Sequence, residues 1–540
     1  MFDHCVRFTS LALFTGVLLG SGCSSDGAGA AGAPSTAGSS ASGGESGPGD
    51  GGGGSAGDAG SAAEAGEAGA PAVTVEDHAG RCASPRSGID PTTKAKFVDV
   101  QGRVLDEQLW LQSWTDDTYL WFDEVPETDL KSFATALDYF DVLKTPAVTA
   151  SGKAKDQFHF SYETAAWEAM SQLGTEVGFG LQLVLERVSP PRLLIAAYTQ
   201  PGSPAESAGI VRGSEVLTVD GVDVANGTDV DTLNNGISPV NPNEQHTFSI
   251  RKPGESSAQT VTLTSVNVPI TPVQYARVLP APADKVGYLS FTDHVPAAEK
   301  GLVDAVTTLS DAKITDLVLD IRYNGGGNRD IAAELGYMIA GPARTSGKAF
   351  ERDVFNQKHP TTDPVTGKAL MPTPFYDHAL GLSVAAGKPL PHLDLPRVFV
   401  LTGNGTCSAS EAVMNGLAGV GVEVIQIGDT TCGNPYGAYP TDNCGTTYFS
   451  SQFQSMNDRG FGDYADGFVP GGLNAGCIIS DDFSHALGDP AEGLLAAALL
   501  YRGLNACPPS DAKSAVTSRS AASAVLKPRW RQNRIVSQPR

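Results

Sequence analysis

"RVFVLTGNGTCSASEAVMNGL", residues 397–417, carries an apolar segment of strand length through a Gly-rich turn into a helix that opens at acidic Glu411. Val398 to Leu401, bounded by Gly403 and Gly405, reads as a buried strand, and the residues after Ser408 read as a helix. Ser408 therefore stands in a tight turn at the start of a helix, where backbone N–H groups and the positive helix end favour a developing oxyanion. That is the position of a nucleophilic serine. The same letters also fit a plainer pattern, with Ser408 and Ser410 as N-cap residues and Glu411 as a capping-box partner.

Working outward, "KVGYLSF" (285–291), "DLVLDIRYNGGGN" (316–328) and "VEVIQIG" (422–428) are further apolar runs of strand length. Helical stretches, Ala297 to Leu309 and Ile331 to Ile339, separate them, so the spacing predicts an α/β core with partly parallel strands. A last helix is expected over Pro490 to Tyr501. The strand end Asn324-Gly325-Gly326-Gly327 lets the backbone approach a substrate closely and aim N–H groups at it; alone, it reads as a loop that needs positive φ.

Upstream, "VGFGLQLVLERVSPPRLLIAAYTQPGSPAESAGIVRGSEVLTVDGVDV" (177–224) has short alternating strands between Gly/Pro turns and one short helix, a compact β-rich module. Between Lys94 and Lys144, Val104, Leu105, Leu109, Leu111, Trp114 and Leu120 recur at helical spacing, and the Trp-rich face is read as packing surface.

The 540 residues carry a formal net charge of -23, which argues against a nucleic-acid partner, because phosphate binding needs clustered Lys and Arg. Residues 1–23, "MFDHCVRFTSLALFTGVLLGSGC", place Arg7 before an apolar run, Leu11 to Leu19, too short for a stable membrane span. This is an export signal. Its end resembles the lipobox of bacterial lipoproteins, with Cys23 as the lipidation site, although Gly20 stands where that motif usually has Leu. The expectation is an exported protein, lipid-anchored to the bacterial cell envelope through Cys23. Residues 24–80 are Gly, Ala, Ser, Pro and acidic residues, a flexible tether, and residues 508–540 are Ser/Ala-rich and basic, a flexible tail.

Apart from Cys5 and Cys23, six cysteines remain: Cys82, Cys407, Cys432, Cys444, Cys477 and Cys507. In an oxidising compartment they form three disulfides by any of about fifteen connectivities. Cys432 with Cys444 suggests itself, since both lie in one Gly/Pro/Asn-rich loop. No CxxC or His-spaced pair suggests zinc, and no metal or other cofactor is expected.

"PGSPAESAGIVRGSEVLTVDGVDV" resembles a PDZ domain, and "GFGL", Gly178-Phe179-Gly180-Leu181, falls where that family holds a peptide's terminal carboxylate on backbone amides. The order of this module, then "GYLSF", "LVLDIRYNGGGN", "GTCSASEAV" and "IGDTTCGNPYG", is similar to the C-terminal processing peptidases, also called tail-specific proteases, across roughly residues 100 to 507. The resemblance implies an α+β multidomain protein: an N-terminal helical region (81–170), a PDZ-like module (171–268) and an α/β, ClpP/crotonase-like peptidase core (269–507). It also implies a serine endopeptidase that binds protein tails, with Ser408 as nucleophile and Gly325 or Gly326 in the oxyanion hole. The family pairs the Ser with a Lys, and here Asn434 occupies that position; Asn has no titratable group. No Lys occurs between Lys388 and Lys513.

Tricorn-like relatives use a His before the PDZ module, and "KDQFHFSYET" places His159 in a comparable region, where it is either a base or a packing residue. A catalytically silent relative that keeps the groove and cleft for binding is the alternative function. Cys407, beside Ser408, is read as disulfide-bonded or buried. His485 is read as part of a capped acidic loop, and nothing in the sequence distinguishes His294, His359 or His392.

Overall fold

A computed structural model describes residues 75–90, 93–283, 285–509, 524–526 and 534–535. The signal, Cys23 and nearly all of the tether expected at 24–80 lie outside the described residues, and no described helix is long and apolar enough to cross a membrane.

The N-terminal region is built on α1 (Val104–Thr118), α2 (Ala136–Phe140) and the strand β1 (Phe160–Glu163). Trp110 and Trp114 stack at 5.6 Å between ring centroids and pack on Tyr448, so the Trp-rich face is core.

The β-rich module folds as an antiparallel sheet of β2 (Leu181–Arg187), β3 (Leu193–Thr199), β4 (Glu215–Val219), β5 (Gln245–Arg251) and β6 (Gln259–Thr264), in the order β6-β5-β4-β3-β2. Alternate residues Leu183 and Leu185, Leu194 and Ala196, Phe248 and Ile250 point to one apolar core. The short helix Pro204–Ser207 starts at Ser203, which caps the Glu206 N–H, and Val230–Ile237 is a second helix.

The core sheet contains β7 (Val273–Val278), β8 (Val286–Phe291), β9 (Asp316–Asp320), β12 (Arg397–Thr402), β13 (Glu423–Gly428) and β16 (Ala475–Ile478), in that order. Only β7 is antiparallel to its neighbour in this sheet; β8, β9, β12, β13 and β16 run parallel. Every residue of β8 and β9 is buried, as expected of parallel strands covered on both faces. One face, with Leu289, Phe291, Leu317, Leu319, Val398 and Val400, packs under α3 (Ala298–Asp311), α4 (Arg329–Ala340) and α5 (Ala409–Gly419). The other, with Tyr288, Val318, Phe399, Leu401 and Ile425, packs on α6 (Gly493–Leu504). The partly parallel α/β core and its helices thus stand within a few residues of their sequence-based positions.

A smaller set of strands borders this sheet: β10 (Gly327–Asn328), β11 (Ala349–Phe355), β14 (Tyr436–Ala438) and β15 (Thr446–Phe449), the last pairing with β1. Two pieces of the basic C-terminal segment join sheets, which its composition does not suggest. β17 (Ala524–Val525) adds antiparallel to β2, and β18 (Arg534–Ile535) runs parallel between β10 and β14.

Among the described residues three disulfides are present: Cys82–Cys444, Cys407–Cys432 and Cys477–Cys507. The pairing of Cys432 with Cys444 is therefore corrected. β14 separates the two residues, leaving Cys444 in the β-turn that meets Cys82 and Cys432 on the loop that faces the start of α5.

Candidate active site

Ser408 joins β12 to α5 with φ +57° and ψ -111°, a left-side conformation that a non-glycine residue holds only when its surroundings impose it. Three features impose it. The Ser408 N–H donates to Glu411 Oε2 at 2.8 Å; the Ser410 hydroxyl donates to the Asn324 carbonyl at 2.9 Å; and Cys407 is bonded to Cys432. Ser408 is fully buried, and the letters S-A-S-E do form the reciprocal cap on the Glu411 side.

Glu411 does more than cap. Its carboxylate also accepts the N–H of Gly433 at 2.9 Å, the N–H of Asn434 at 2.8 Å and the Thr431 hydroxyl at 2.5 Å. Burial pushes this carboxyl above its usual range, opposed by hydrogen bonds from Thr431, Asn434, Ser408 and Gly433. One buried carboxylate thus fixes Ser408 and Asn434 to each other's loops, a link that the sequence offered only as a helix cap.

Asn434 is itself buried, and its Oδ1 accepts the Tyr436 N–H at 3.1 Å. It lines a small cleft with Phe158, Tyr436, Gly437, Ala438, Ser450 and Ser451. The structure therefore brings the loop of Asn434 and the turn of Ser408 together.

The glycine strand end lies against the same turn. A Cβ on Gly326, φ +107°, would stand 2.9 Å from Ser408 Cβ and 3.0 Å from the Ala409 nitrogen, so only glycine permits this approach. Asn324 organises it: its Nδ2 donates to the Phe291 carbonyl at 3.1 Å, and its Oδ1 accepts the Gly326 N–H at 3.0 Å. The same Oδ1 lies 3.0 Å from His294 Nδ1, and His294 continues the ladder by accepting the Asn328 N–H at 2.7 Å. His294, indistinct in sequence, is the histidine beside the glycine turn.

His159 is packed in the N-terminal core. Its ring stacks on Phe140 at 3.8 Å between centroids, Nε2 lies 2.8 Å from the Phe140 carbonyl and Nδ1 lies 3.7 Å from Asp156. Burial lowers its pKa, with Asp156 opposing. Its ring contacts are with the N-terminal core, while its neighbour Phe158 faces the Asn434 cleft.

Of the "GFGL" residues, Phe179 packs in the module core against Phe248, and Gly180 holds φ +67° where a Cβ would meet Ser203 at 2.3 Å. Cys407, Glu411 and Cys432 have the spacing of a metal group, but the two sulfurs are joined to each other. His485 is hydrogen-bonded at 2.7 Å to Asp482, which also accepts the Gly493 N–H near the start of α6.

The positive-φ serine turn, the glycine strand end packed on it and the α/β sheet agree with what comparison finds. Residues 285–440 match the model of peptidase family S41. The chain is 34% identical over 263 residues to a chloroplastic C-terminal processing peptidase of Tetradesmus obliquus, and 29% identical over 161 residues to a carboxyl-terminal-processing protease of a Picosynechococcus strain. These matches cover 43% and 29% of the chain, which spans only 54% and 37% of the two relatives' lengths. An S41 protease structure from Bacteroides fragilis shares the fold at a TM-score of 0.53 and 23% identity, covering 73% of this chain and 97% of that one.

Proposed function

We propose that this S41-domain chain is an exported serine endopeptidase of the C-terminal processing kind, with Ser408 as nucleophile. The observation that carries the reading is the imposed positive φ of Ser408 at the start of α5, with Gly326 packed against it. In acyl transfer the Ser408 oxygen bonds to the scissile carbonyl carbon, the C–N bond breaks, and the serine proton ends on the leaving amine. The resulting oxyanion is held by backbone N–H groups of the Gly325–Gly326 turn and the α5 N-terminus; Gly326 exchanges its bond to Asn324 for one to the oxyanion. His159 is read as packing, because its ring is stacked and hydrogen-bonded in the N-terminal core.

The β-rich module is read as a PDZ-type reader of protein tails, with the Gly178–Leu181 loop receiving a terminal carboxylate and β2 pairing with the peptide. Cys23 is read as the lipid anchor that holds the chain to a bacterial envelope membrane, with residues 24–80 as tether.

Asn434 favours a second reading, a silent relative that binds peptides without cleaving them. Mass spectrometry of unfolded proteins and tail peptides incubated with the chain separates the two. Cleavage by the wild type that is abolished by Ser408→Ala supports the peptidase; no cleavage by the wild type, with cleavage appearing in Asn434→Lys, supports the silent relative.

A further inference from the structure

The C-terminal segment touches both places that a bound peptide would need. β17 pairs with β2 in antiparallel register, Val525 opposite Val184 and Ala524 opposite Leu185. The Leu526 N–H donates to the Leu183 carbonyl at 3.1 Å, and Gln182 Nε2 donates to the Leu526 carbonyl at 2.9 Å. Ala524 and Leu526 pack on the module core, while Val525 joins Val184, Tyr198, Tyr323 and Leu487. A Cβ on Gly405, three residues before Ser408, would stand 2.6 Å from Val525, so this side chain rests on the nucleophile loop itself.

Eight residues beyond Leu526, β18 lies parallel between β10 and β14. β10 begins at Gly327, directly after the glycine packed on Ser408, and β14 begins two residues after Asn434. An eight-residue extended chain spans up to about 27 Å, and the antiparallel pairing advances from Ala524 toward the Gly178–Leu181 end of β2. Residues 524–525 thus add as a strand to the module and residues 534–535 pair beside the Ser408 turn, both through the backbone. Strand addition is the mode by which a sheet edge takes an extended peptide. Charge agrees: residues 508–540 hold seven Lys and Arg against one Asp, in a chain of net charge -23.

We propose that the edge of β2 and the gap between β10 and β14 form one extended-peptide site, and that this chain's own residues 524–526 and 534–535 are its resident occupants. An incoming peptide must displace them. The inference rests on reading the Ser408 cleft as a peptide site, but it concerns occupancy and does not depend on hydrolysis.

The test uses the full chain carrying Ser408→Ala, so that binding is read whether or not the protein cleaves peptides. A fluorescein-labelled synthetic peptide of residues 520–540 is titrated against this parent and against the same chain with Val525→Asp or Leu526→Pro. The first substitution places a charge among apolar side chains, and the second removes the N–H given to Leu183. Both variants are expected to bind the peptide at least tenfold more tightly than the parent, with faster hydrogen exchange at β2 and at Gly327–Asn328 and with the parent's melting temperature within 2 °C or so. Equal affinity and equal exchange in variants that melt with the parent would overturn the proposal. Protection in the parent that disappears on dilution would also overturn it, because the occupant would then be the tail of a second copy.

Discussion

Arg212 of the β-rich module donates to the Tyr323 hydroxyl at 2.6 Å, and Tyr323 immediately precedes Asn324 and the three glycines beside Ser408. The same guanidinium donates to Asp481 at 2.6 Å and to the Asp482 and His485 carbonyls. Arg322 also donates to Asp481, at 2.7 Å, and to Asp320 and Glu492, all but Asp481 fully or nearly buried. Despite burial, Arg322 and Arg212 hold the Asp481 carboxyl below its usual range. The β-rich module and the glycine strand end beside Ser408 are thus joined by one hydrogen-bonded ionic cluster.

Removing the module's member of that cluster leaves buried partners unsatisfied. Arg212→Met is expected to destabilise the chain by about 3 kcal/mol in urea denaturation, and to speed hydrogen exchange at Gly325–Gly327. An unchanged exchange rate at the glycines would show that the cluster does not transmit to the turn.

Glu411 makes a sharper claim. Glu411→Ala deprives the N–H groups of Ser408, Gly433 and Asn434 of their buried acceptor, so a loss of about 3 kcal/mol or more and a relaxed Ser408 turn are expected. Thermal melting reads the first. The second is read as loss of reactivity at Ser408 under conditions where the variant is still folded.

The order of strands and helices was legible because apolar runs of strand length alternated with helical spacing, as "DLVLD" and "RVFVLT" show. The Ser408 turn was legible for the same reason. What the letters could not carry were long-range partners. Glu411 looks like any capping residue until the loop of residues 431–434 folds onto it, and Arg212 looks like a surface turn residue until Tyr323 and Asp481 meet it. The Cys432–Cys444 expectation failed because proximity in sequence says nothing about which way β14 carries the chain. The tail looked like linker because its pairing is by backbone, which leaves little mark on composition.

A carboxyl pair gives a pH signature. Glu334 on α4 is buried near Glu299 on α3; burial and that neighbour push its pKa up to about 8, opposed by the Leu380 N–H. A folded pKa above the unfolded value means that the stability contribution is full below about pH 4.5 and is lost as pH rises toward 8. Stability is therefore expected to fall by about 1 kcal/mol per pH unit between about pH 5 and 7.5 from this group, levelling above about 8. Glu334→Gln should remove that slope in denaturation series at several pH values.

The Cys407–Cys432 bond ties the residue before Ser408 to the loop of Asn434, across a separation of 25 residues. Replacing both cysteines by Ala is expected to cost about 3 kcal/mol, since the unfolded chain regains its loop freedom. It should also slow any reaction at Ser408 while leaving the Cys82–Cys444 and Cys477–Cys507 bonds intact on mass spectrometry.

Ser408 is expected to react as an activated nucleophile despite the amide at Asn434. A fluorophosphonate probe, followed by peptide mapping, tests it without knowledge of any substrate. The account predicts phosphonylation at Ser408 in the wild type, faster in the Val525→Asp chain whose tail is displaced, and none in Ser408→Ala. A wild type and a Val525→Asp chain that both remain unlabelled, while Asn434→Lys becomes labelled at Ser408, would contradict it.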